Sequence, residues 1–82
     1  MENRLIKLLK ELIPTLKDQE IVELSENGGM LKRGYIDSLN LIEIISKIEE
    51  EFNINFVDED MKMENFDTIK SIVRIIIKRS SH

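Results

Sequence analysis

One stretch of the chain combines residue types that could carry chemistry: Gly34-Tyr35-Ile36-Asp37-Ser38-Leu39-Asn40-Leu41. A glycine turn leads into an Asp-Ser pair, and the pair opens an apolar periodic run through Ile44, Ile45, Ile48 and Phe52. Asp37 or Ser38 caps the helix this run predicts, where the first backbone N–H groups have no intrahelical partner. Free donors and the helix dipole together favour an anion at such an end. A phosphate ester on the Ser38 hydroxyl would sit well there. An Asp-Ser pair ahead of an amphipathic helix is more often only a cap, so the pair needs support from the rest of the chain.

Other reactive constellations are scarce. The 82 residues include no cysteine, which removes disulfides, thiolate metal sites and a cysteine nucleophile. The one histidine is the terminal His82, where order is least expected, so neither a histidine base nor a His-based metal site is foreseen. No Gly-rich phosphate loop is present. Paired carboxylates could act as acid and base, but a chain this short builds one core and hardly a deep catalytic cleft. The expectation is a single domain, residues 1–82, that is not an enzyme.

Charge is distributed unevenly around a net −4. Residues 34–66 hold nine acids against two bases, a local −7, and residues 67–82 hold one acid against four bases, a local +3. The acidic block follows Ser38 directly. It would repel nucleic acid and steer toward basic partner surfaces; any single carboxylate in it is more simply a solvated side chain. No apolar run is long enough for a membrane span or a signal peptide. A cytoplasmic, soluble monomer is the default.

The elements that must position the Asp-Ser pair follow from periodicity. Leu5, Leu8, Leu9 and Leu12 predict a first helix over about 3–13, stopped by Pro14. Residues 15–36 read as a long connection with scattered apolar residues (Leu16, Ile21, Val22, Leu24, Met30, Leu31), a turn at Asn27-Gly28-Gly29 and a helical turn near 18–22. The second helix spans about 38–52, with Leu41, Ile44, Ile45, Ile48 and Phe52 inward. Leu39 and Ile42 lie off that stripe and are expected to stay partly exposed. Glu43, Lys47 and Glu51 are spaced for i,i+4 pairs, and Asn53 is the stop. Residues 54–57 read as an extended connector. Asp58 caps a short helix to about Met63, with a break at 65–67, and the last helix runs from Asp67 or Thr68 to about Arg79. Its inward face is Ile69, Ile72, Val73 and Ile76, with Lys70, Arg74 and Lys78 on its back. Residues 80–82 are expected to fray. The fold class is all-α: a small bundle of three main helices plus one short helix, with a long loop between the first two.

In this order and spacing the chain resembles the acyl carrier protein family of phosphopantetheine-binding helical bundles. Gly34-Tyr35-Ile36-Asp37-Ser38-Leu39 looks like the attachment motif, and Ile48-Glu49-Glu50-Glu51-Phe52 like the glutamate run that closes the second helix. Ile54-Asn55-Phe56 with Asp58-Glu59-Asp60, and Phe66-Asp67-Thr68-Ile69, resemble the connector, third helix and start of the last.

The resemblance implies that a phosphopantetheinyl transferase attaches 4'-phosphopantetheine to Ser38, with Asp37 and Leu39 as flanking recognition residues. It implies that Glu43, Glu49, Glu50, Glu59 and Asp60, with apolar contact from Ile42 and Leu39, meet basic patches on partner enzymes. Those partners are an acyl- or aminoacyl-loading ligase and the downstream transferases and synthases of lipid, polyketide or peptide assembly. It also implies an interior that could shelter an acyl chain among Ile44, Ile45, Ile48, Phe52 and Ile69, residues that otherwise are simply core. Tyr35-Ile36 before the Asp-Ser pair, Lys32-Arg33 before Gly34, Ser46 and Lys62 depart from carriers of fatty acid synthesis. The segment 60–67 looks more like discrete carriers of secondary pathways, D-alanyl carriers among them. An aminoacyl cargo is therefore the alternative to an acyl one, and an unmodified acidic interaction module is the alternative of a different class.

Overall fold

A computed structural model describes residues 1–80. It contains four α-helices: α1 (Glu2–Leu12), α2 (Ile21–Glu26), α3 (Leu41–Phe52) and α4 (Ile69–Ser80). Short 3-10 turns lie at Asp18–Glu20, Asp58–Asp60 and Met63–Phe66, and no strand occurs among the described residues. The all-helical expectation holds, with one relocation. The fourth α-helix lies inside the long first connection, and the segment after α3 is two 3-10 turns where one short helix through Met63 was expected. The predicted break at 65–67 falls partly within the second of these turns.

Each helix end has a local cause. Pro14 pushes the residue before it out of the helical region, and Ile13 sits at φ −125°, ψ 80°. Asn53 ends α3 in the left-handed conformation at φ 53°, ψ 52°, which asparagine tolerates better than most side chains. Thr68 opens α4: its Oγ1 accepts the Ser71 N–H at 3.0 Å, so the helix starts at Ile69, one residue inside the expected boundary. Ser80, expected to fray, closes α4; the expectation for Ser81 and His82 lies outside the described residues.

The core is aliphatic. α1 packs on both α3 and α4, and α2 packs on α4. Leu5, Leu9, Leu24, Ile44, Ile48, Phe66, Ile69, Ile72 and Ile76 are fully buried, each contributing about 1.5–3 kcal/mol relative to exposure. Phe56 meets Phe66 edge-on with ring centroids 5.9 Å apart. The long connection is pinned as its apolar content suggested: Leu16, Leu24, Met30, Tyr35 and Ile36 are all buried. Val22 is the exception and is largely exposed. The connection is also tied at its middle. Asp67 accepts the N–H groups of Gly29 at 3.2 Å and Leu31 at 3.0 Å, and its own carbonyl accepts the Met30 N–H at 3.2 Å. Gly28 passes so close that a Cβ there would lie 2.5 Å from the Asp67 carboxylate, with φ already at +95°.

Ion pairs fasten the helices where periodicity alone does not show them. Arg4 holds the end of α3: its Nε and Nη2 reach Glu51 Oε2 at 3.1 and 3.0 Å, and Nη2 also donates to the Glu51 carbonyl at 2.7 Å. The same guanidinium lies 4.7 Å over the Phe52 ring. Glu51 is thereby drawn to α1, and the expected Glu43–Lys47 and Lys47–Glu51 pairs are not among the ion pairs of the described residues. Asp60 is buried, and both its oxygens bind Arg79 of α4, at 2.6 and 2.8 Å.

The Arg79 guanidinium, with help from the Val57 N–H, holds the Asp60 carboxyl below the ordinary carboxylate value despite burial. A lowered folded pKa gives stability that is present above the unfolded value and lost as pH falls through the folded one. Asp60→Ala is expected to lower Tm at neutral pH by about 10 °C. Its Tm should also decline less steeply than the parent's below about pH 4. Thermal melts across that range check both.

Candidate functional site

Ser38 sits where the chain passes from the long connection into α3, between two anchored neighbours. Ile36 and Leu41 are buried, whereas Asp37, Ser38 and Leu39 face outward. The backbone turns helical before α3 proper begins, with the Leu41 N–H on the Asp37 carbonyl at 3.0 Å. The regular helix therefore starts at Leu41, three residues later than expected, and Ser38 occupies a hydrogen-bonded turn ahead of it.

Of the two candidate caps, the structure selects Asp37. Its Oδ1 accepts the N–H of Leu39 at 2.8 Å and of Asn40 at 3.0 Å. Asn40 returns the contact, its Oδ1 accepting the Asp37 N–H at 2.8 Å. This is a reciprocal capping arrangement with asparagine in the place Glu or Gln usually takes. Asn40 then uses its Nδ2 on the Tyr35 carbonyl at 2.8 Å. Two of the N–H groups expected to be free for an anion are thus occupied by Asp37. What remains at Ser38 is the positive end of the helix dipole and a hydroxyl that makes no hydrogen bond among the described residues.

Behind the turn lies a second polar knot. The Tyr35 ring is buried, its hydroxyl donates to Glu20, and Arg33 Nε binds the other Glu20 oxygen at 2.8 Å. The Tyr35 hydrogen bond and then Arg33 hold Glu20 below the ordinary carboxylate value; Glu20 in turn raises Tyr35 above the ordinary phenol value. The turn that carries Ser38 is in this way tied to the start of α2.

The remaining sequence-predicted residues separate into two groups. Leu39 and Ile42 are 90% and 71% exposed, far more than the partial exposure expected. Glu43, Glu50 and Glu59 are exposed, and Glu59 has only a long 3.7 Å contact to Arg79. Glu49 is half-buried and its Oε2 accepts the Phe56 N–H at 2.8 Å, which fixes the connector after α3. Asp60 is the clear correction: with 5% of its surface exposed and both oxygens on Arg79, it is an internal anchor and not a partner-facing acid. Its alternation with Asp58 and Glu59 in an acidic run disguised it. Of the residues named as a shelter for an acyl chain, Ile44, Ile45, Ile48 and Ile69 are buried core and Phe52 is half-buried.

The chain matches the family model described as phosphopantetheine attachment site over residues 3–76. It is 33% identical over 63 residues to an acyl carrier protein of Buchnera aphidicola from Schizaphis graminum, covering 77% of this chain and 80% of that protein. The chain belongs to the acyl carrier protein family. A second acyl carrier protein, of Buchnera aphidicola from Baizongia pistaciae, is 48% identical over 42 residues, about 51% of each chain. No solved structure gave a significant match. A carrier of this family bears a covalent 4'-phosphopantetheine and is a substrate for transferases and synthases, not an enzyme in its own right. No helix among the described residues of this carrier is long and apolar enough to cross a membrane.

Sequence reasoning missed Asn40, Tyr35 and Glu20 as parts of this site. The signal for Asn40 was its place three residues after Asp37, the capping-box spacing. Tyr35 is the only tyrosine and the chain has no tryptophan, so its titration is readable by ultraviolet absorbance. Phenolate should appear above its ordinary value of about 10, and Glu20→Gln should bring the transition back down.

Proposed function

We propose that this chain is one carrier domain with Ser38 as its attachment residue, and that it delivers acyl groups to partner enzymes. The observation that carries the reading is the state of the Ser38 side chain. It is exposed, free of hydrogen bonds among the described residues, and held at the positive end of α3 by an Asp37 cap that leaves the hydroxyl out of the knot. A phosphate ester there meets a favourable dipole and no displaced contact. A transferase would form the Ser38 Oγ–phosphorus bond as the bond from phosphorus to the nucleotide part of coenzyme A breaks, the hydroxyl proton leaving to a base of the transferase. The bound group supplies the thiol that this cysteine-free chain lacks, and on it an acyl group is held as a thioester. Asp37 acts by shaping the turn, and Leu39 offers an apolar contact immediately beside the ester.

Partner enzymes would read the surface after Ser38. Leu39, Ile42, Glu43, Ser46 and Glu50 follow one another at helical spacing and are all exposed. Exposed apolar side chains flanked by carboxylates that have no ion-pair partner among the described residues suit a partner with a hydrophobic contact ringed by Lys and Arg. Glu59 is an outward acid of the Asp58–Asp60 turn, and Glu49 serves this surface only through its hold on the connector.

Incubation with coenzyme A and a broad-specificity phosphopantetheinyl transferase, followed by intact mass, is expected to add one phosphopantetheine to the parent and none to Ser38→Ala. No gain in the folded parent would sink the reading and leave an acidic interaction module. Glu43→Lys combined with Glu50→Lys should slow loading by about tenfold at low salt, and the gap should narrow as salt rises.

A further inference from the structure

We propose that Asn40 is a positioning residue for modification: its amide bridges Tyr35 and Asp37 and thereby holds the Ser38 turn in the form a transferase accepts. The inference rests on Ser38 being the attachment residue.

The geometry uses both ends of one side chain. Asn40 Oδ1 accepts the Asp37 N–H at 2.8 Å, and Nδ2 donates to the Tyr35 carbonyl at 2.8 Å. Its own N–H is held by Asp37 Oδ1 at 3.0 Å. Three contacts thus close a ring around the segment 35–40, with Ser38 inside it and untouched by it. The amide accepts at its oxygen and donates at its nitrogen. Aspartate has the same shape and keeps the acceptor, but it turns an oxygen toward the Tyr35 carbonyl.

The ring is fixed to the body of the domain. Tyr35 is buried, its N–H is on the Met30 carbonyl at 2.9 Å, and its hydroxyl is on Glu20. On the other side Leu41 is buried in the core. Between these two anchors, Asp37, Ser38 and Leu39 are exposed. Hydrophobic packing therefore cannot order them, and the polar ring must. A turn that is only fractionally in its competent form binds an enzyme with affinity reduced by that fraction, while the step after binding is unchanged.

The test is steady-state loading by a phosphopantetheinyl transferase with coenzyme A in excess, varying the concentration of the full chain. Asn40→Ala should raise KM for the carrier about tenfold and change kcat less than twofold. Asn40→Asp should fall between parent and Asn40→Ala. Hydrogen exchange gives an independent reading: the Asp37 amide should lose protection in Asn40→Ala and keep it in Asn40→Asp. Thr68→Ala removes the cap of α4 and is expected to lower stability without moving KM. Parent kinetics in both Asn40 variants would overturn the positioning role and leave Ser38 standing, provided Ser38→Ala blocks loading. An equal rise of KM in Thr68→Ala would overturn it too, by assigning the effect to general loosening. A parent that accepts no phosphopantetheine would remove both claims together.

Discussion

The turn that carries Ser38 is exposed yet held in one form, and the reciprocal Asp37–Asn40 contacts are what hold it. Buried side chains are ordered by packing, but Ser38 and its neighbours on either side are exposed. Order there has to come from directional contacts, and a capping ring supplies them within four residues. The arrangement has a cost. It spends the helix-end N–H groups on Asp37, so the turn offers an incoming phosphate the helix dipole but not the full set of donors. Among the described residues, the Ser38 hydroxyl is the polar side chain of the turn that takes no part in holding it.

The acidic character of the chain divides along similar lines. Asp60, Asp67, Glu49, Glu51 and Glu20 are taken up by internal contacts, to Arg79, the Gly29 and Leu31 amides, the Phe56 amide, Arg4, and Tyr35 with Arg33. Glu43 and Glu50 have no such partner among the described residues and point outward from α3. Net charge alone therefore overstates the charge available to a partner. These two free acids lie on α3 beside Leu39 and Ile42, two apolar residues that the core does not use.

Legibility in the sequence followed the range of each interaction. Helix identity was readable, because Leu5-Leu9 and Ile44-Ile48 repeat at the period that one buried face imposes. Pro14 and Asn53 marked their boundaries through backbone sterics that act within one residue. Three things were not readable. Ile21–Glu26 form a helix too short to show a period, so only a helical turn near 18–22 is readable there. Asp60 reads like its exposed neighbours Asp58 and Glu59 until Arg79, 19 residues away, is placed against it. The expected Glu43–Lys47–Glu51 ladder gave way because Arg4 of α1 offers Glu51 two hydrogen bonds and caps a carbonyl at the same time. A flexible lysine at i,i+4 provides only tenths of a kcal/mol against that.

The same distinction separates Ser38, the proposed attachment residue, from the contacts that hold its turn. Ser38 is singled out by a local motif together with the helical pattern downstream of it, both of which are written in residue order. Asn40 lies in the same stretch, but its role depends on which carbonyl its amide reaches, and Tyr35 is in reach only because its ring is buried and its hydroxyl is fixed to Glu20. That chain of contacts runs from the start of α2 through the turn to α3, and it crosses most of the long connection that periodicity left without structure. A connection of this length in a small helical domain is thus not slack between helices. It is the part of the fold that sets where the hydroxyl stands.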